Sequence, residues 1–145
     1  MTSSAHIVET ASGLLLDAEG RMLLGLRASW KRLWPNLWDA IGGHLEPGES
    51  VETALARELQ EEIGVTPTVF RLLGSFPEPR PDLYGETLHH VFAVTAWSGG
   101  NPSNVCDEHS EIGWFTLDQL LAMTNTTGFD FPHLFELAMA ARAQD

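Results

Sequence analysis

A glycine-rich loop running straight into one unbroken helix constrains this chain more than any other feature. Residues 42–49 read Gly-Gly-His-Leu-Glu-Pro-Gly-Glu, three glycines and a proline in eight positions, so they form a loop. Ser50 follows as a helix N-cap, and Glu52 puts negative charge in the first turn, where the helix dipole favours it. Residues 51–63 contain no Gly or Pro and are dominated by Ala, Leu, Arg, Glu and Gln, which favour helix. Gly64 stands where a left-handed C-terminal cap belongs.

On that helix Glu58, Glu61 and Glu62 fall at i, i+3 and i+4, sharing an arc of roughly 100° beside a stripe of Leu55, Leu59 and Ile63. The stripe should bury against a sheet and leave the carboxylates at its edge, facing the glycine loop. Three carboxylates so close repel one another by about a few tenths of a kcal/mol per exposed pair. A hard divalent cation held by oxygen ligands relieves that repulsion, and Mg²⁺ suits sites shared with substrate phosphates.

Gly43, Glu49 and Arg57-Glu58-Leu59-Gln60-Glu61-Glu62-Ile63-Gly64-Val65 stand at the spacing of the Nudix box, and the chain resembles the hydrolases that carry it. From average residue usage, a chance match is on the order of 10⁻⁹ per starting position, so the resemblance is specific. It implies an α/β (α+β) fold, a mixed β-sheet sandwiched between helices, and cleavage of a nucleoside diphosphate linked to another moiety. It also implies that Glu58 and Glu62, then Glu61, ligate metal, with a backbone oxygen added by Gly42. Glu49 and Arg57 resemble the structural ion pair spanning loop and helix, with Arg57 orienting the neighbouring carboxylates. Mg²⁺ is the expected ion and Mn²⁺ a substitute. The expected reaction is attack of a metal-activated water on a pyrophosphate phosphorus.

A general base must reach that water. Glu58 is one candidate; many relatives use an acid from a late loop. Residues 104–111 form such a loop, ahead of the strand 112–115 (Ile-Gly-Trp-Phe), and there Glu108 is the preferred fourth carboxylate and Glu111 the second.

The chain has 145 residues, the length of one domain, and its 43% hydrophobic content suffices for a core, so residues 1–145 read as a single Nudix domain. Formal net charge is -12, from 20 acidic and 8 basic residues, which argues against nucleic-acid backbones as partners. The expected partner is a small nucleotide-type molecule, with the protein itself a monomer or homodimer. Cys106 is the only cysteine, which excludes an intrachain disulfide. Residues 1–10 hold no apolar targeting core and no apolar run reaches membrane-spanning length, so a soluble cytoplasmic protein is expected.

Residues 11–16 and 22–26 read as two strands of a hairpin around Asp17-Ala18-Glu19-Gly20. Residues 69–75 and 89–97 read as further strands, with a proline-rich loop at 76–86 between them. Thr116 and Gln119 fit a capping box for a helix through Met123. A last helix starts with Pro132 in its first turn and runs to about Arg142, with Leu134, Leu137 and Ala138 on its core face.

Trp30, Trp34 and Trp38 recur every four residues before the glycine loop, and Pro35 makes that stretch a loop. An indole there, Trp34 in particular, could stack on a substrate base while Arg27, Lys31 or Arg32 meets phosphate; packing beneath the loop is the other reading, favoured for Trp38. His89 and His90 would face opposite sides of a strand, so one of them can face the cleft. Tyr84 and Pro81 lie near positions that mark substrate in some Nudix subfamilies, without matching either pattern. An oxidised or otherwise non-standard nucleotide is among the candidate substrates. Two other functions stay open. Ligand-sensing Nudix domains without turnover often lose the motif carboxylates, which are all present here. Isopentenyl-diphosphate isomerases share the fold but need a catalytic cysteine paired with a glutamate, and Cys106 lies outside the expected position.

Overall fold

Leu14, Leu15 and Leu16 are all almost fully buried, which a half-exposed strand would not allow. Successive side chains of a strand point to opposite faces, so this run needs a covering layer on each side. A computed structural model describes residues 7–144 and supplies both layers. Strands β1 (Val8–Leu15) and β2 (Met22–Arg27) lead through the short β3 (Trp38–Asp39) to β4 (Ile41–His44) and helix α1 (Val51–Ile63). Strand β5 (Thr66–Pro77), the single-turn helix α2 (Pro81–Tyr84) and strand β6 (Thr87–Ser98) follow. The chain ends in β7 (His109–Phe115), α3 (Leu117–Ala122) and α4 (Phe131–Arg142).

One sheet has the order β4-β1-β6-β5 and is mixed, β1 running parallel to β6 and antiparallel to β4. The other, β3-β2-β7, is antiparallel. On one side Leu55, Leu59 and Ile63 of α1 bury completely against Leu15, Leu23 and Phe92. On the other, Phe131, Leu134 and Ala138 of α4 cover Leu14, Leu24 and Ala93. Neighbouring residues such as Leu23 and Leu24 thus feed different cores, as the two-residue period of a strand requires. A mixed and an antiparallel sheet between helices match the expected fold class.

The expected hairpin of residues 11–16 and 22–26 is corrected. The turn is present, with Gly20 N donating to the Asp17 carbonyl at 3.1 Å and Arg21 N to the Asp17 carboxylate at 2.8 Å. Beyond a single bridge between Leu16 and Met22, however, the strands part into different sheets. Both edges of β1 are taken by β4 and β6, which leaves β2 to pair with β3 and β7.

The caps of α1 form as expected: the Ser50 hydroxyl accepts from Thr53 N at 3.1 Å, and Gly64 adopts φ 73°, left-handed backbone natural to glycine. Thr116 and Gln119 form the capping box of α3. Pro132 sits in the first turn of α4, which Asp130 caps by accepting from His133 N. The loop expected at 76–86 is shorter, because β5 extends to Pro77 and α2 occupies part of the remainder.

Candidate active site

Strand β4 places the glycine loop beside α1 at the mouth of a cavity of about 450 Å³. The Glu58 carboxylate lies directly on Gly43: a Cβ built there would come within 2.6 Å of Glu58 Oε1. Arg57 fixes this corner. Its Nε and one terminal nitrogen donate to the two oxygens of Glu49 at 2.7 and 2.8 Å, a bidentate pair, and its other terminal nitrogen donates to Glu58 Oε1 at 3.0 Å. The guanidinium also ties the glycine loop to the helix through the His44 carbonyl at 3.1 Å. Hydrogen bonding to Arg57 pulls the Glu49 carboxyl down to about 2, so the pair is charged across the physiological range.

The three helix carboxylates do not share one environment. Glu58 and Glu62 are buried, whereas the Glu61 side chain is 57% exposed and lies 3.4 Å from the Arg57 guanidinium. Glu62 lies outside the cavity lining and turns toward β7, its Oε1 3.4 Å from His109 Nε2. Its Oε2 is buried without a hydrogen-bond partner among the described residues. An orphaned carboxylate oxygen normally costs about 1–3 kcal/mol or more, so it needs a reason. Burial first, then the Glu58 carboxylate beside it, push the Glu62 carboxyl far above its ordinary range. Two buried acids packed together, one oxygen unpartnered, and a glycine leaving room on the other form an oxygen-donor set that fits a hard divalent cation.

The late loop joins the site. Glu108 lines the cavity and accepts from Lys31 Nζ at 2.5 Å, and this contact lowers the Glu108 carboxyl. Glu111 is exposed on β7, opposite Leu26. Arg27 lines the cavity, its guanidinium held by the carbonyls of Leu33 and Trp34; Arg32 is exposed and outside the lining. Trp34 packs against Tyr84 with ring centroids 4.3 Å apart and planes tilted by 32°, both in the cavity wall. Trp38 packs on Phe115 in the second core, and Trp30 is 62% exposed. Of the adjacent histidines, His89 faces the cavity and contacts Glu78 Oε1 at 3.1 Å, while His90 pairs with Glu9. Pro81 is exposed at the start of α2 and lies outside the lining.

The cavity wall also includes residues not singled out from the sequence, among them Asp39, Thr127, Glu78 and Phe129. Asp39 accepts from the Thr127 hydroxyl at 2.8 Å, and desolvation pushes its carboxyl up. Cys106 is also closer to the centre than its place in the chain suggested, with Glu62, Cys106 and His109 offering ligand atoms all within 4.8 Å of one another.

The NUDIX domain model matches residues 7–135. The chain belongs to the Nudix family. Among solved structures it is similar to a MutT NUDIX hydrolase from Burkholderia pseudomallei, with TM-score 0.75, 26% identity, and 94% of this chain and 98% of that one covered. Among curated relatives it is 33% identical over 113 residues to the NAD-capped RNA hydrolase NudC of Mycobacterium bovis, across 75% of this chain but only 33% of the relative. It is also 32% identical over 132 residues to an isopentenyl-diphosphate Delta-isomerase of Leifsonia xyli, across 88% of this chain and 71% of the relative. The family model and the hydrolases among these relatives make the chain a Nudix hydrolase, of a family that acts on small nucleotide-type substrates and generally uses divalent metals. Among the described residues no helix is long and apolar enough to cross a membrane.

Proposed function

We propose that this chain is a single catalytic domain hydrolysing a pyrophosphate bond in a nucleoside diphosphate linked to another group, with Mg²⁺ as the working ion and Mn²⁺ as a substitute. The observation that carries the reading is the buried, unpartnered Oε2 of Glu62 beside the buried Glu58. Glu58 and Glu62 would hold the cation, with the Gly42 carbonyl and the rim carboxylate Glu61 completing the set. A cation bound there supplies charge for the developing oxyanion and lowers the pKa of an attacking water.

The protein's own residues supply the rest. Arg57, locked by Glu49, keeps the Glu58 carboxylate pointed at Gly43. Lys31 and Arg27 bring positive charge to a cavity otherwise rich in acids, where phosphate oxygens would lie. A phosphate that draws Lys31 away would leave Glu108 free to take the water's proton. The Trp34–Tyr84 pair suits a base, and about 450 Å³ is ample for a nucleoside diphosphate.

The test is incubation with Mg²⁺ and a panel of canonical and oxidised triphosphates, ADP-ribose, dinucleoside polyphosphates and nucleotide sugars, with products identified by mass. Cleavage at a pyrophosphate, abolished by chelator, is expected; a folded, metal-bound protein that turns nothing over would overturn the reading in favour of a ligand-sensing domain. The isomerase among the relatives favours one second reading, isomerisation of isopentenyl diphosphate. With isopentenyl diphosphate added to the panel, an isomer formed from it without release of phosphate or pyrophosphate would select that reading.

Base stacking is worth about 1–3 kcal/mol, so Trp34→Ala should raise KM about tenfold and leave kcat within about threefold. Trp34→Phe should restore most of the loss. An unchanged KM in the alanine variant would remove Trp34 from substrate binding.

A further inference from the structure

Cys106, His109 and Glu62 come from two elements and converge on one point. Each offers one ligand atom, and these three atoms lie within 4.8 Å of one another. His109 stands between the other two, its Nε2 3.4 Å from Glu62 Oε1 and its Nδ1 3.9 Å from Cys106 Sγ, so a metal ion held by one ring nitrogen draws in the residue now on the other. In a tetrahedral site with bonds of about 2.0–2.3 Å, neighbouring ligand atoms stand roughly 3.3–3.7 Å apart, so a set already within 4.8 Å closes by side-chain movements of about 1 Å.

The cluster is held from several sides. Val105 N donates to the Glu62 carbonyl at 3.1 Å and Ser103 N to the Ile63 carbonyl at 3.2 Å, which staples the thiol-bearing loop to the end of α1. Asn104 Nδ2 donates to the His109 carbonyl at 2.8 Å, closing the loop on itself. The imidazole occupies space that Gly25 leaves: a Cβ there would lie 2.6 Å from the ring. The Glu62 side chain is only 3% exposed, and its Oε2 has no partner among the described residues.

We propose that these three residues form a second metal site, selective for a borderline-soft divalent cation of the Zn²⁺ class, which takes Glu62 away from the hydrolytic site and so inhibits turnover. Thiolate and imidazole ligands favour zinc, whereas Mg²⁺ takes oxygen ligands in near-octahedral geometry. Three protein ligands leave a fourth position for water. The two sites share Glu62 and exclude each other, so zinc acts by competition rather than at a distance. The existence of the site stands on its own geometry; the inhibition rests on the proposed role of Glu62 in hydrolysis, and two readouts keep these apart.

The first readout is Co²⁺ titration of the full chain, followed by Zn²⁺. Cys106 is the only cysteine, so a thiolate-to-cobalt charge-transfer band reports this site alone. One equivalent of Co²⁺ should produce the band, Zn²⁺ should erase it, and Cys106→Ser should lack it while melting as the wild type does. Absence of the band, or equal Zn²⁺ affinity in wild type and Cys106→Ser, overturns the site. The second readout is Zn²⁺ inhibition at fixed Mg²⁺, with each protein normalised to its own zinc-free rate. The zinc concentration for half-inhibition should rise at least tenfold in Cys106→Ser. A normal cobalt band with identical inhibition in both proteins would overturn the shared-Glu62 mechanism alone.

Discussion

Glu62→Gln should cut turnover at least about 100-fold, roughly 2.7 kcal/mol of transition-state stabilisation, while the protein stays folded. Glutamine keeps the shape that fits between α1 and β7 but removes the charge that would bind the cation. Glu58→Gln should cost as much, because its carboxylate rests on Gly43 and is aimed by Arg57. Near-normal turnover in both variants would contradict the assignment.

The same substitution should change stability in the opposite sense once metal is stripped. Burial and the neighbouring Glu58 raise the folded Glu62 carboxyl above its ordinary 4.5, so above that pH the folded state keeps a proton that the unfolded chain has lost. Stability is therefore full below 4.5 and declines as pH rises, by at most about 1.4 kcal/mol per pH unit. Two other groups act lower on the scale and with the opposite sign. His109, lowered by burial to about 4 from 6.5, gives a gain as pH rises between those values. Glu49, at about 2 against 4.5, gives a gain that is complete by 4.5. From pH 7 to 9 neither His109 nor Glu49 contributes, and Glu62→Gln serves as the control for every other group. In chelator the wild-type melting temperature should fall across it more steeply than that of Glu62→Gln, and saturating Mg²⁺ should flatten the wild-type curve. Parallel curves in chelator would mean that Glu62 is not held protonated in the folded protein.

Alanine at the two adjacent glycines should separate fold from function. At Gly42 a Cβ would lie 2.1 Å from the Ala11 carbonyl oxygen and 2.5 Å from Ser12 Cα, in the backbone of the paired strand. Backbone cannot step aside cheaply, so Gly42→Ala should lose about 3 kcal/mol or more and melt at least about 10 °C lower. At Gly43 the atoms nearest the new methyl belong to the end of the Glu58 side chain, which can move. Gly43→Ala should stay within about 1 kcal/mol of wild type but bind the activating metal at least about tenfold more weakly. Calorimetry and metal titration check both; an intact Gly42→Ala, or unchanged metal affinity in Gly43→Ala, would contradict this account.

What the sequence disclosed was chiefly local. The caps of α1 and α3 depend on residues three or four apart, and Ser50, Gly64, Thr116 and Gln119 all occupy the places their chemistry suggests. The stripe of Leu55, Leu59 and Ile63 was readable because one helix face has one period. Strand partners were not: the Asp17–Gly20 turn looks like a hairpin until β6 arrives from some eighty residues away to occupy the free edge of β1. The same limit governs the site. Helical spacing put Glu58, Glu61 and Glu62 on one arc, but only the packing of β7 and the late loop separates the buried Glu62 from the exposed Glu61. Lys31 and Arg32 are equivalent as letters, and only the fold turns Lys31 toward Glu108. Glu78, Asp39 and Cys106 carry no motif and enter by convergence alone.

The most direct test of the central claim, metal-assisted attack of water on a pyrophosphate at Glu58 and Glu62, is turnover of the fastest substrate in heavy-oxygen water. Mass spectrometry should find one heavy oxygen per cleavage on a phosphoryl product in Mg²⁺, and none above background in chelator or with Glu62→Gln. Heavy oxygen appearing at the same rate without metal, or in Glu62→Gln, or product formed with no heavy oxygen on phosphorus, would contradict it.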